Sequence, residues 1–139
     1  MSGTPASEGR TTIVVTAAVI ERDGRFLVTR RQKGVHLEGH WEFPGGKCEP
    51  GESLAACMAR ELTEELAVEA RVGAELLVTA HDYPERRVEL HFLSCTIAGT
   101  PVPQQGQEMR WVPRDALHTL AFPPADDELI RLLRRTEAR

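Results

Sequence analysis

The chain has 139 residues, 41% of them hydrophobic, and a formal charge of -4. That is enough for one domain with a real core, and the small acidic excess offers no electrostatic grip on a long nucleic-acid backbone. Cys48, Cys57 and Cys95 are scattered, with no CxxC pair and no histidine at zinc spacing, which argues against a disulfide framework or structural zinc and for a reducing, cytoplasmic home.

Residues 1–12, MSGTPASEGRTT, have no apolar core. They are expected to form a flexible leader, neither a signal sequence nor a membrane span, with a single domain over 13–139. Ile13 to Glu21 is a nearly continuous β-branched and small apolar run, as a buried strand should be. Arg22-Asp23-Gly24-Arg25 is a turn signal before a second strand, Phe26 to Thr29. Arg30 to Gly39 is polar and glycine-bearing, hence a loop over one face. Trp41 to Gly46, WEFPGG, reads as a short extended piece broken by proline and glycine.

After Glu49-Pro50-Gly51 a helix is predicted with Ser53 as N-cap. Over Leu54 to Leu66, the residues Leu54, Ala55, Met58, Leu62 and Leu66 form its apolar stripe. Strands are predicted at Ala70 to Ala80, Arg87 to Ile97 and Met109 to Val112, with Gly99 to Gly106 as a loop. A short helix should run from Pro113, or just after it, to Leu117. A last helix, Asp126 to Arg135, turns Leu129, Leu132 and Leu133 inward. The expected class is α/β (α+β): a mixed, strongly curved sheet with helices on both sides.

The strongest chemical signal is Arg60-Glu61-Leu62-Thr63-Glu64-Glu65. At three- and four-residue spacing on a helix, Glu61, Glu64 and Glu65 can converge on one edge, where without a cation they repel. A solvated acidic face is the plain alternative. Against it stands the bend of Phe43 to Gly46, whose backbone can come close to a ligand, with Glu52 as a fourth carboxylate. Hard divalent ions take such oxygen ligands, reverse the local charge toward a phosphoanhydride, and lower the pKa of a bound water for in-line attack. A glutamate not saturated by metal can take the proton. Arg60 is a partner for Glu52 that holds the loop to the helix, with a second role near phosphate.

These residues resemble the signature of the Nudix hydrolases: G, five residues, E, seven residues, REU, one residue, EE, one residue, GU, with U aliphatic. Here it runs Gly46, Glu52, Arg60-Glu61-Leu62, Glu64-Glu65, Ala67-Val68. The one departure is Ala67 in place of glycine, at a helix exit that calls for positive φ, where alanine costs about 1 kcal/mol. WEFPGGK at Trp41 to Lys47 and FPPAD at Phe122 to Asp126 are similar to the MutT-like branch, which includes oxidised-guanine nucleotide sanitising enzymes and cytidine nucleotide pyrophosphohydrolases.

The resemblance implies the Nudix fold and a Mg2+-dependent nucleoside triphosphate pyrophosphohydrolase, with Mn2+ as substitute, yielding a monophosphate and pyrophosphate. 8-oxo-dGTP or a related modified nucleotide is the expected substrate, and (d)CTP or 5-methyl-dCTP the alternative. Other nucleoside diphosphate derivatives and a non-catalytic nucleotide-binding role stand behind these. It implies metal ligands at the Gly45 carbonyl, Glu61, Glu64 and Glu65, with Glu52 behind them. Arg31 would contact phosphate, His36 would lie in the loop closing over nucleotide, and Phe43 would border the base. A distant ligand in this family is often glutamate, and here either Gln105 or Glu108 takes that place. Asp126 stands where the MutT-like pattern ends in asparagine. A charged carboxylate only accepts, which suits a cytosine amino group; buried and protonated, it reads an oxidised purine by donor and acceptor together. Asp126 or Asp127 can also cap the last helix. Trp41 can stack on a base and Glu85 can accept from a base amino group. The expected partner is a small nucleotide, with no stable nucleic acid and no membrane, for a monomer or homodimer.

Overall fold

The computed structural model describes residues 11–137. Seven strands, β1 (Thr11–Arg22), β2 (Arg25–Arg30), β3 (Trp41–Glu42), β4 (Gly45–Lys47), β5 (Glu69–Asp82), β6 (Arg86–Ala98) and β7 (Met109–Pro113), accompany two α-helices, α1 (Leu54–Leu66) and α2 (Asp127–Glu137). The strands form one mixed sheet in the order β3-β2-β1-β6-β5, with β4 paired to β1 and β7 to β2. β1 and β6 run parallel and the other pairs antiparallel.

The apolar run in β1 is continuous because both faces are covered, as in a central strand. Ala17 and Val19 face a core shared with Phe26, Phe92, Leu117, Leu129 and Leu133 on the α2 side. Ala18 and Ile20 face Leu27, Met58, Leu62, Leu66 and Leu93 on the α1 side. The β1–β2 turn falls at Asp23 and Gly24, both with positive φ, 54° and 77°, the backbone twist that a two-residue hairpin requires.

Helix α1 has the predicted bounds, and Ser53 caps it by accepting from the Ala56 amide at 3.1 Å. Its buried stripe is Cys57, Met58, Leu62 and Leu66. Ala55, expected inside, is exposed, and Cys57 packs there instead. The helix leaves through Ala67 at φ 58°, ψ 40°, its amide bonded to the Thr63 carbonyl at 3.0 Å. The left-handed exit is kept although the glycine is not.

Other boundaries shifted. β1 begins at Thr11 because Thr11 and Thr12 pair with Arg86 and Arg87, so the last two residues of the expected leader belong to the sheet; residues 1–10 lie outside the described residues. Pro113 closes β7, and a 3₁₀ segment covers Arg114–Thr119. A second 3₁₀ turn, Pro124–Asp126, takes up Asp126, so α2 starts one residue later than expected.

The disulfide expectation is overturned: Cys48 and Cys57 are bonded, with Cα atoms 5.2 Å apart. Their nine-residue separation gave no hint of it, because the turn at Glu49-Pro50-Gly51 folds the end of β4 back over the first turns of α1. No helix among the described residues is long and apolar enough to cross a membrane.

Candidate active site

β4 lies against the middle of α1, and its glycines make that approach feasible. A Cβ on Gly45 would sit 1.9 Å from the Thr16 carbonyl oxygen of β1, and one on Gly46 would sit 2.3 Å from Glu61 Oε1. The sheet backbone is thereby brought directly onto the carboxylate edge of the helix.

Arg60 organises that edge. Its guanidinium donates to Glu52 from Nε at 2.7 Å and from Nη2 at 2.9 Å, to Glu61 and Glu64 from Nη1 at 3.0 and 3.2 Å, and to the Lys47 carbonyl at 3.1 Å. A two-pronged guanidinium–carboxylate pair fixes orientation as well as charge. The Arg60 bond is the main cause that holds the Glu52 carboxyl down at about 2, and Glu52 in turn raises the Arg60 pKa. Glu52 also accepts from the Glu49 amide at 2.9 Å, so one side chain ties the loop to itself and to the helix.

Glu65 is in the opposite condition. Burial, then the charges of Glu42 and Glu61, push its carboxyl up to about 8, against a hydrogen bond from the Gly45 backbone. The donor set of Glu61, Glu64 and Glu65 with the Gly45 carbonyl is all oxygen and crowded with negative charge. By its chemistry the set suits a hard divalent cation, which these residues could hold, but among the described residues the three carboxylates do not draw together as expected: the acidic and thiol group whose ligand atoms lie within 4.8 Å of one another is Cys48, Glu52 and Cys57.

A cleft opens beside Glu65, lined by Arg31, Gln32, Val35, Glu42 and Gln105 among others. Arg31 reaches it from the end of β2, paired with Glu42 at 2.8 Å and donating to the His36 carbonyl at 2.6 Å. His36 itself is exposed on the loop that this bond folds. Gln105 is delivered by the β6–β7 connection, whose Val102 and Gln104 amides bond to the carbonyls of Leu66 and Glu65 at the end of α1, each at 2.9 Å. Glu108 faces a neighbouring cleft. Its carboxylate is held by Arg30 at 3.2 Å and Arg110 at 3.1 Å, which lower its pKa. Of the two candidates for the distant position, Gln105 shares the cleft of Glu65.

Phe43 and Trp41 are both buried, each 4% exposed. Phe43 stacks on Phe122 at 5.3 Å and meets Phe92 edge-on at 6.3 Å. Arg30 and Arg110 lie over the Trp41 ring, 5.6 and 4.6 Å from its centroid, so the indole serves the core and its cationic cover. Glu85 is exposed at the tip of the β5–β6 hairpin, next to the Tyr83–Arg86 turn. Asp126 is 6% exposed. Burial first, then the charges of Glu42 and Asp127, push its carboxyl up to about 7.

Glu42 is the residue that motif reading passed over. It lies between the buried aromatics Trp41 and Phe43, so the alternation of an extended chain turns it the other way, into the cleft. A lone carboxylate flanked by two core aromatics was the available signal. Glu42 lines the cleft of Glu65 and pairs there with Arg31, and its charge raises the pKa of both Glu65 and Asp126.

A model of the NUDIX domain matches residues 15–132. The chain belongs to the Nudix hydrolase family. A CTP pyrophosphohydrolase of Escherichia coli strain K12 is 38% identical over 120 residues, covering 85% of this Nudix chain and 88% of the relative. An 8-oxo-dGTP diphosphatase of Haemophilus influenzae is 38% identical over 128 residues, covering 89% and 93%. Among solved structures, that of the E. coli ORF135 protein superposes with a TM-score of 0.81 at 35% identity, over 93% of this chain and 91% of that one. A MutT protein from Methanosarcina mazei Go1 shares the fold with a TM-score of 0.80 at 23% identity, over 94% and 98%.

Proposed function

We propose that this Nudix hydrolase is a Mg2+-dependent pyrophosphohydrolase that converts 8-oxo-dGTP, or a related oxidised purine nucleotide, to its monophosphate and pyrophosphate. The observation that carries the base assignment is the burial of Asp126. A carboxyl held at about 7 is substantially protonated near neutrality, so it both donates and accepts, as the O6 and N7-H edge of an oxidised guanine requires. The H. influenzae relative carries that activity in its name.

Glu61, Glu64, Glu65 and the Gly45 carbonyl would hold magnesium, or manganese in its place. When bound, the metal supplies charge neutralisation at phosphate and a more acidic water. Arg60 keeps Glu52, Glu61 and Glu64 in register. Arg31 reaches the cleft where a phosphate would lie, and His36 would lie in the loop closing over nucleotide. Phe43 stiffens the base side from within the core, through Phe122. Water attacks the β-phosphorus, the bond from that phosphorus to the oxygen bridging to the α-phosphorus breaks, and a nearby glutamate takes the water's proton. The cytoplasm, where a nucleotide pool is held, is the proposed setting, and it rests on that substrate and no longer on an absence of disulfides.

The CTP pyrophosphohydrolase among the relatives favours a second reading, in which an ionised Asp126 or Glu42 accepts from the cytosine amino group. Initial rates of pyrophosphate release with magnesium at low micromolar 8-oxo-dGTP, dGTP, dCTP, 5-methyl-dCTP and 2-hydroxy-dATP separate the two. A preference for 8-oxo-dGTP over dGTP is expected. A preference for the cytidine nucleotides selects the second reading, and no release from any of the five overturns both.

A further inference from the structure

The Cys48–Cys57 bond spans the segment that carries Glu52. Three ties already hold that segment: the Ser53 cap, the Glu49–Glu52 bond and the Glu52–Arg60 pair, the last two through the one Glu52 carboxylate. The staple adds a covalent link between the end of β4 and α1, at the junction where β4 meets the carboxylate edge. The two sulfurs and a Glu52 carboxylate oxygen lie within 4.8 Å of one another.

The two ends of the staple differ in freedom. Cys57 is fully buried on a helix locked into the core, with its sulfur 3.4 Å from the Thr16 hydroxyl. Cys48 is half-buried and borders an open groove with Ile13, Lys47 and Leu54. Bonded sulfurs must move apart to van der Waals distance once the bond is broken. Because Cys57 is fixed, Cys48 and the turn behind it must yield, and that turn leads directly into Glu52.

We propose that Cys48 and Cys57 form a reversible thiol–disulfide site through which small or protein thiols set the geometry of Glu52 and, by way of Arg60, of the carboxylate edge. The link to metal binding rests on the proposed role of that edge. A thiolate from outside attacks the Cys48 sulfur, the S–S bond breaks, and the Cys57 sulfur leaves with the electron pair and takes a proton. A second external thiolate attacks the outer sulfur of the mixed disulfide, and Cys48 leaves as a thiol. Two external thiols become one external disulfide, and two electrons pass to the protein. Cys95 stands apart: burial pushes its thiol up to about 11, so it forms little reactive thiolate.

The test uses the full chain, oxidised and then reduced with dithiothreitol. Thiols counted in denaturant should be one before reduction and three after, in accord with a bonded pair and one free cysteine. Amide hydrogen exchange at residues 49–53, measured without metal or substrate, should quicken on reduction and slow again on reoxidation. Mn2+ affinity, read by electron paramagnetic resonance without nucleotide, should weaken on reduction by about tenfold, the scale set by partners that orient metal ligands. Cys48→Ser, a change at the half-buried end, should match the reduced protein and ignore dithiothreitol. Three free thiols in air-equilibrated protein, or unchanged exchange at 49–53 across the two states, overturns the proposal. Redox-dependent exchange with no Mn2+ binding in either state supports the switch and overturns the metal assignment of the edge instead.

Discussion

Gly46 faces the Glu61 carboxylate so closely that a single added methyl group would lie 2.3 Å from Oε1. The obstacle is the end of a flexible side chain, so Gly46→Ala should fold with Glu61 displaced. Rotation of that carboxylate by about an ångström is expected to lower kcat about 100-fold while the melting temperature changes little. Gly45→Ala meets backbone instead, 1.9 Å from the Thr16 oxygen, and should lose the β1–β4 pairing. Thermal melts beside kinetics for the two variants check the contrast; equal loss of stability in both would contradict it.

Ala67 occupies a left-handed conformation with φ at 58°. Ala67→Gly removes the strain of about 1 kcal/mol, partly offset by the greater freedom of glycine in the unfolded chain. A net gain of roughly 0.5 kcal/mol in urea unfolding, at unchanged kcat, is the expected result. Ala67→Val, β-branched at the same angles, should be destabilised.

Asp126 predicts a pH effect whose sign follows from its shift. The folded chain raises this carboxyl from 3.8 to about 7, so between those values it holds a proton that the unfolded chain releases. Stability is fully present below about pH 4 and is lost as pH rises through about 7. The shift corresponds to a loss on the order of a few kcal/mol. Glu65, raised for similar reasons, contributes in the same direction, so the comparison of wild type with Asp126→Asn, in EDTA, isolates one group. The variant should lose part of the decline between pH 4 and 8. In the wild type, the ratio of 8-oxo-dGTP to dCTP hydrolysis should fall as pH rises past 7.

Arg60→Lys keeps the charge and discards the fork. A single ammonium cannot reproduce the two bonds to Glu52 together with those to Glu61, Glu64 and the Lys47 carbonyl. Metal affinity should fall about 10-fold or more, with KM for nucleotide changed less than kcat. Full activity in Arg60→Lys would reduce the arginine to a surface charge.

Helix α1 was readable in the sequence because its signals are local: a serine cap, apolar spacing and four carboxylates within a few turns. The β1–β2 turn was readable for the same reason, since Asp23 and Gly24 are residues that accept positive φ. What depends on distant chain was not. Cys48 and Cys57 gave no motif, and only the fold of β4 over α1 brings them together. Glu42 carries no signature of its own, and its importance comes from Asp126, which lies on the far side of the chain. Trp41 looked available to a base because nothing local says that Arg30 and Arg110 cover its ring.

The parallel pairing of β1 with β6, from Thr11 on Arg86 to Ile20 on Cys95, imposes an order of events on a chain as it is made. The whole of α1 lies within the loop that this pairing closes. A nascent chain halted before Arg86 carries every signature glutamate, yet the neighbour that β1 needs along its length has not been synthesised. Contacts so far apart in sequence are slow to form, so the helix and its short-range carboxylate contacts can arise early while the sheet they rest on is completed only when the central strand finds its last partner.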